Sequence, residues 1–243
     1  MGSAKILICV EGAKTEEKIL KHLFKIYDLA LDYEIVSYKT NIYVLYQQMF
    51  AEKDQDDRDL LQTLKEHERD SDKKSILDAH YSDIILIFDF DPQDGLFSEE
   101  KINEMLVFFD ESTENGKLYI NYPMAEAFYH MPTIPDAGFQ NRTVHIQTLI
   151  EHRYKALVNT ETVRNNYDMF ATTKSECDYV IIEHYKKAWK LLNLKPEEKN
   201  FPSFLDVLNA QINNMKLSNE ISVLCTCVSF ILEYDGNLVD IQV

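Results

Sequence analysis

The sequence predicts an α/β fold, a parallel sheet flanked by helices with a mainly helical C-terminal extension. Three observations predict it. Residues 5–10 (KILICV) and 83–88 (DIILIF) are short, nearly continuous apolar runs rich in β-branched residues, as strands covered on both faces require. Each is followed by a stretch with apolar residues at helical spacing. Strands that alternate with helices imply right-handed crossovers and hence parallel pairing. From about Arg142 onward the strand signal fades.

The first strand runs into EGAKTEEKILKHLFKIYDL. Thr15 is placed to cap a helix, Glu16 and Glu17 favour its first turn, and Ile19, Leu20, Leu23, Phe24 and Tyr27 form one apolar stripe. Residues 33–38 read as a second strand and 42–50 as a second amphipathic helix. The densely charged stretch 51–74 reads as a solvated helix with its loop. After the DIILIF strand, Ser98 is expected to cap a helix carrying Ile102, Met105, Leu106 and Phe109. Residues 117–121 (KLYIN) form a fourth strand. Pro123 then suits the first turn of a helix through Glu126, Phe128 and His130. Helices are expected near 146–158, 175–193, 202–215 and 219–233. The PTIPDAG segment marks a boundary between a domain spanning 1–135 and a helical region spanning 136–243.

Composition narrows the functions. The chain has 243 residues with 41 Asp and Glu against 25 Lys and Arg, a net charge of −16. That balance opposes non-specific nucleic-acid binding over the whole surface, so any such binding needs a local surface, neutralising metal ions or a partner chain. The start, MGSAKILICV, lacks the pattern of a signal peptide, and the longest apolar run, 221–232, is too short to span a bilayer. The four cysteines, Cys9, Cys177, Cys225 and Cys227, have no metal-ligand spacing and suit buried free thiols in a reducing compartment. A soluble, cytoplasmic protein without membrane contact is expected. No Walker loop is present, so nucleotide hydrolysis through a P-loop is excluded.

In an open parallel sheet, the carboxyl ends of the strands share one edge, where ligands bind. Glu11 follows the first strand, and Asp89 and Asp91 follow the DIILIF strand, so the topology gathers three carboxylates from distant positions. Such a cluster is costly to ionise unless a hard cation neutralises it, and oxygen-only ligands suit magnesium or manganese. Gly12 after Glu11 allows close backbone approach. His130, His145 and His152 are scattered and read as structural or surface residues. Tyr185, Lys186, Lys187, Trp189 and Lys190 read as an amphipathic helix packing Trp189 and Leu191.

These residues resemble the Toprim domains of topoisomerases, primases and several nucleases. ICVEGAKTEEKIL is similar to the opening of RloB-like and overcoming-lysogenization-defect (OLD) type Toprim nucleases. IFDFD is similar to their Asp-x-Asp strand, and INYPMAEAFYH to their Asn-Pro-x-x-Glu segment. The resemblance covers roughly residues 4–131. Tyr122 separates Asn121 from Pro123, and Met124-Ala125 replaces the usual Cys-Phe. The resemblance implies a Toprim-like sheet, with Glu11 as metal ligand or acid/base group and Asp89 and Asp91 as ligands. Glu126 would complete a second metal site and Glu16 would orient a metal-bound water. It also implies a lysine beside the developing phosphorane charge, for which Lys174 is the candidate. It further implies a metal-dependent nuclease of DNA or RNA, transfer RNA included, in antiphage defence. Such proteins are often encoded beside an ATPase, so a separate ATPase subunit is the expected partner; a homo-oligomer is left open. The alternatives are a non-catalytic Toprim-like sensor or scaffold and, less well matched, a haloacid-dehalogenase-type phosphatase. In that phosphatase Asp89 would be the nucleophile, and Gln93 stands where Thr or Val is usual.

Overall fold

A computed structural model describes residues 5–12, 14–51, 58–163, 166–196 and 199–241. The apolar runs form the expected strands: β1 (Lys5–Val10), β2 (Asp32–Ser37), β3 (Asp83–Asp89) and β5 (Gly116–Asn121), with a two-residue β4 (Asp110–Glu111) before the last. They make one five-stranded sheet in the order β2-β1-β3-β5-β4, parallel throughout except for β4. β1 and β3 lie side by side although the chain leaves β1 toward β2. The carboxyl ends of β1 and β3 therefore flank a topological switch point, where open α/β sheets form their binding crevice.

Helices α1 (Thr15–Ile26), α2 (Ile42–Met49), α3 (Leu60–His67), α4 (Ser71–Leu77) and α5 (Glu99–Phe108) accompany the sheet. Local chemistry sets their starts. The side chains of Asn41, Asp59, Asp70 and Ser98 accept from backbone amides of the first turns of α2, α3, α4 and α5. Thr15 departs from expectation. Lys14 occupies the cap position of α1 without a side-chain bond, and the Thr15 hydroxyl donates instead to Glu126 Oε1 at 3.1 Å. The charged stretch forms the two short helices α3 and α4, which bury Leu60, Leu64 and Leu77. Residues 1–4, at the N-terminal start, and 52–57 of the charged stretch lie outside the described residues.

The expected helix after Pro123 is a 3₁₀ helix at Ala125–Tyr129, reached through a cis Tyr122–Pro123 peptide. Beyond it lie β6 (Thr143–His145), α6 (Ile146–Ile150), α7 (Tyr154–Glu161), α8 (Lys174–Leu191) and α9 (Phe204–Ser218). His152, in the left-handed region with φ 55°, separates α6 from α7 within the expected 146–158 helix. The expected helix at 219–233 is not continuous. Glu220–Ser222 forms β7, which pairs antiparallel with β6, and is followed by a 3₁₀ turn (Thr226–Val228) and α10 (Ser229–Tyr234). The buried Gln211 amide explains the first part: it donates to Ser222 O (2.8 Å) and accepts from Ser222 N (2.9 Å), fixing extended backbone there. The next residues serve the sheet. Leu224 exchanges two backbone bonds with Tyr122 (2.7 and 2.8 Å), Thr226 Oγ1 donates to Ile120 O (2.8 Å), and Cys227 N donates to Asn121 Oδ1 (3.3 Å).

One apolar core runs from β1 through α8, α9 and the 221–232 run to Ile241. No helix among the described residues is long and apolar enough to cross a membrane.

Candidate metal centre

Glu11 is fixed at its backbone before its side chain is considered. Its amide donates to Ile87 O (3.0 Å), and its carbonyl accepts from Lys39 N (2.9 Å) and Ser37 Oγ (3.4 Å). The carboxylate then turns across the switch point, where Oε2 accepts from Asp89 N at 3.1 Å. Asp89 ends β3, is 4% exposed, and accepts from Ala125 N through Oδ1 at 2.8 Å. Phe90 is fully buried, packed against Tyr122 and Phe97. Its amide is shared between Asn121 O and Pro123 O. With Phe90 anchored, the chain turns at Asp91, which has φ 38°. Asp tolerates that left-handed conformation better than most residues. Gln93 Nε2 donates to Asp91 Oδ1 at 3.0 Å.

One carboxylate oxygen each from Glu11, Asp89 and Asp91 lies within 4.8 Å of the others. Two oxygens on a magnesium ion at about 2.1 Å stand at most about 4.2 Å apart, so small carboxylate rotations would close the set.

Two further acids back these three. Glu16, in the first turn of α1, is buried rather than solvated, and its Oε1 accepts from Gly12 N at 3.3 Å. A Cβ on Gly12 would stand 3.1 Å from Glu16 Oε2, which is the close approach this glycine permits. Glu126 is 3% exposed; Oε1 takes Thr15 Oγ1 and Lys155 Nζ (3.2 Å), while the buried Oε2 has no hydrogen-bond partner among the described residues.

Electrostatics follow from this crowding. Burial, then the Asp91 charge and Glu16, push Glu11 up to about 8, against the opposing pull of the Asp89 amide and Lys155. Burial drives Asp89 well above the usual carboxylate range, reinforced by Glu11, Glu16, Asp91 and Glu126. Asp91 and Glu16 are also raised, chiefly by burial. Lys155 moves the other way: burial disfavours its charge, yet Glu126, Asp89 and Glu16 hold its ammonium above the ordinary range. Several acids thus share one lysine. An oxygen-only donor set, one unpartnered buried carboxylate oxygen and depressed acidity together fit a hard divalent cation.

Lys174 sits elsewhere. Its ammonium binds Asp178 (3.0 Å) and Leu238 O (2.7 Å) above the Tyr27 ring. The lysine that reaches the acids is Lys155, at the start of α7. Its only sequence signal is a basic residue opening a helix in the second half of the chain. His130 is structural, bonded to Tyr154 OH (3.2 Å) and Glu161 (2.9 Å), and His145 caps α6. The chain matches no family model, and no curated protein or solved structure matches it.

Proposed function

We propose that this protein is a magnesium- or manganese-dependent nuclease of Toprim type. In this reading it hydrolyses phosphodiester bonds of DNA or RNA in the cytoplasm, in antiphage defence, together with a separate ATPase subunit. The observation that carries the reading is the convergence of Glu11, Asp89 and Asp91 at the sheet's switch point, with one carboxylate oxygen of each within 4.8 Å of the others. A bound divalent ion supplies Lewis-acid charge neutralisation and an activated water. Glu11, Asp89 and Asp91 would hold it, and the free oxygen of Glu126 would serve as a ligand for a second cation. Lys155, 60% exposed at its side chain, extends its ammonium to stabilise charge developing on a phosphoryl oxygen.

The absent Walker loop supports a partner that supplies ATP hydrolysis, and the acidic surface supports a partner that supplies basic groups for the nucleic acid. Four buried free cysteines suit a reducing compartment. The buried, amide-bonded carboxyl of Asp89 weighs against its use as a phosphatase nucleophile. The test is magnesium-dependent cleavage of DNA and RNA by the protein, alone and with the product of its neighbouring gene. Cleavage lost in folded Glu11→Ala and Asp89→Ala variants supports the reading. Equal cleavage by these variants would refute the role of the acids, and inertness in every combination leaves the sensor or scaffold role.

A further inference from the structure

In a chain of net charge −16, a cavity with no acid in its lining stands out. A hollow of about 290 Å³ lies between β6, the end of α8 and α9. Its polar lining includes Lys187, Lys190, Asn141, Asn193 and Asn214, and no Asp or Glu among the described residues lines it.

Lys187 is 2% exposed. Its ammonium donates to Phe139 O (2.8 Å) and Arg142 O (2.6 Å) and sits 4.4 Å from the centre of the Phe139 ring. Both of its hydrogen-bond acceptors are neutral backbone carbonyls. Lys190 Nζ rests on Asn141 Oδ1 (2.7 Å) and Gln140 O (3.3 Å), neutral groups that leave its charge uncompensated. The acids that touch the lining are held from outside. Glu183 accepts from Gln140 (2.6 Å), and Glu220 accepts from Thr143 (3.0 Å). Burial, then the cations of Arg142 and Lys190, push Lys187 well below its usual range, against the smaller opposing pull of Asp136 and Glu183.

We propose that this hollow binds a phosphate group. An oxyanion there pairs with Lys190 and accepts from the asparagine amides, as charge-assisted bonds to phosphate do. The volume suits a phosphate with a small ester group rather than a large ligand. Two sources share this chemistry, a free phosphate monoester and the phosphate of a nucleic acid. The inference does not rest on the metal-centre reading.

The full chain is titrated with inorganic phosphate in EDTA, as wild type and as Asp91→Asn, with binding read by calorimetry and by melting temperature. Phosphate should bind and raise the melting temperature of both proteins. Lys190→Glu, checked for native circular dichroism, should weaken binding about tenfold or more, as loss of a charged hydrogen bond predicts. Asn193→Asp provides a second variant that adds repulsion without touching Lys187. Competition by a nucleoside monophosphate or by a 5′-phosphorylated oligonucleotide then names the source, and competition by neither leaves free phosphate as the ligand. No binding at tens of millimolar phosphate, or unchanged binding in both variants, overturns the proposal. Loss of binding in Asp91→Asn alone would assign the phosphate to the metal centre and overturn it equally.

Discussion

Replacing Glu11 by Gln is expected to stabilise the metal-free protein, but only away from acid pH. The Glu11 carboxyl titrates near 8 in the fold against an ordinary 4.5, because burial and Asp91 oppose its charge. The native state keeps a proton that the unfolded chain has released, so stability is full below about pH 4.5 and falls as the pH climbs toward 8. One such group costs up to about 1.4 kcal/mol per pH unit. From 4.5 to neutrality that is a ceiling of about 3 kcal/mol, and sharing of protons with Asp89 and Asp91 lowers it to about 1–3 kcal/mol. Gln keeps an oxygen for the Asp89 amide and removes the charge. At about 2–4 °C per kcal/mol for a chain of this size, Glu11→Gln should melt several degrees above wild type near pH 8 and level with it near pH 4.5. Manganese at millimolar concentration should invert the order, raising wild type and leaving the variant unmoved. Melting curves of both proteins across this pH range, in EDTA and in manganese, test it. A variant destabilised equally at both ends, with wild type indifferent to metal, would refute both the repulsion among these acids and the cation site.

Three further outcomes are expected. Lys155→Met should lower metal-dependent cleavage by about 10²–10³-fold, the range for losing one donor to developing charge, with circular dichroism unchanged. Lys174→Met should leave cleavage intact and cost no more than the ~0–1 kcal/mol of an exposed ion pair; equal losses in both would return the role to Lys174. Gly12→Ala places a methyl 3.1 Å from Glu16 Oε2, displacing that carboxylate from the Gly12 amide. It should cost about 1 kcal/mol and raise the metal concentration needed for half-maximal stabilisation, as read by titrated melting curves.

The sheet and the three acids were legible because their signals are local. Continuous apolar runs mark buried parallel strands, and a residue directly after such a run must stand at the ligand-binding edge. The features that were not legible depend on tertiary partners. Thr15 has the chemistry of a cap but finds a buried carboxylate 111 positions away. The 221–232 run is apolar without a period, which fits a buried helix or a strand equally well, and the Gln211 amide decides for extended chain at Ser222. Lys155 and Lys174 both open helices, α7 and α8, and only the path of the chain between them sets which one faces the acids.

The bonds from Leu224, Thr226 and Cys227 to Ile120, Asn121 and Tyr122 have a practical consequence for expression. Asn121 is the register partner of Asp89, and Tyr122 is the neighbour against which Phe90 is wedged. A fragment cut after residue 135 would strip these three positions of their hydrogen-bond partners and open the flank of β5 to water. An inactive fragment of that kind would speak to lost support under Asp89 and Asp91 rather than to their chemistry.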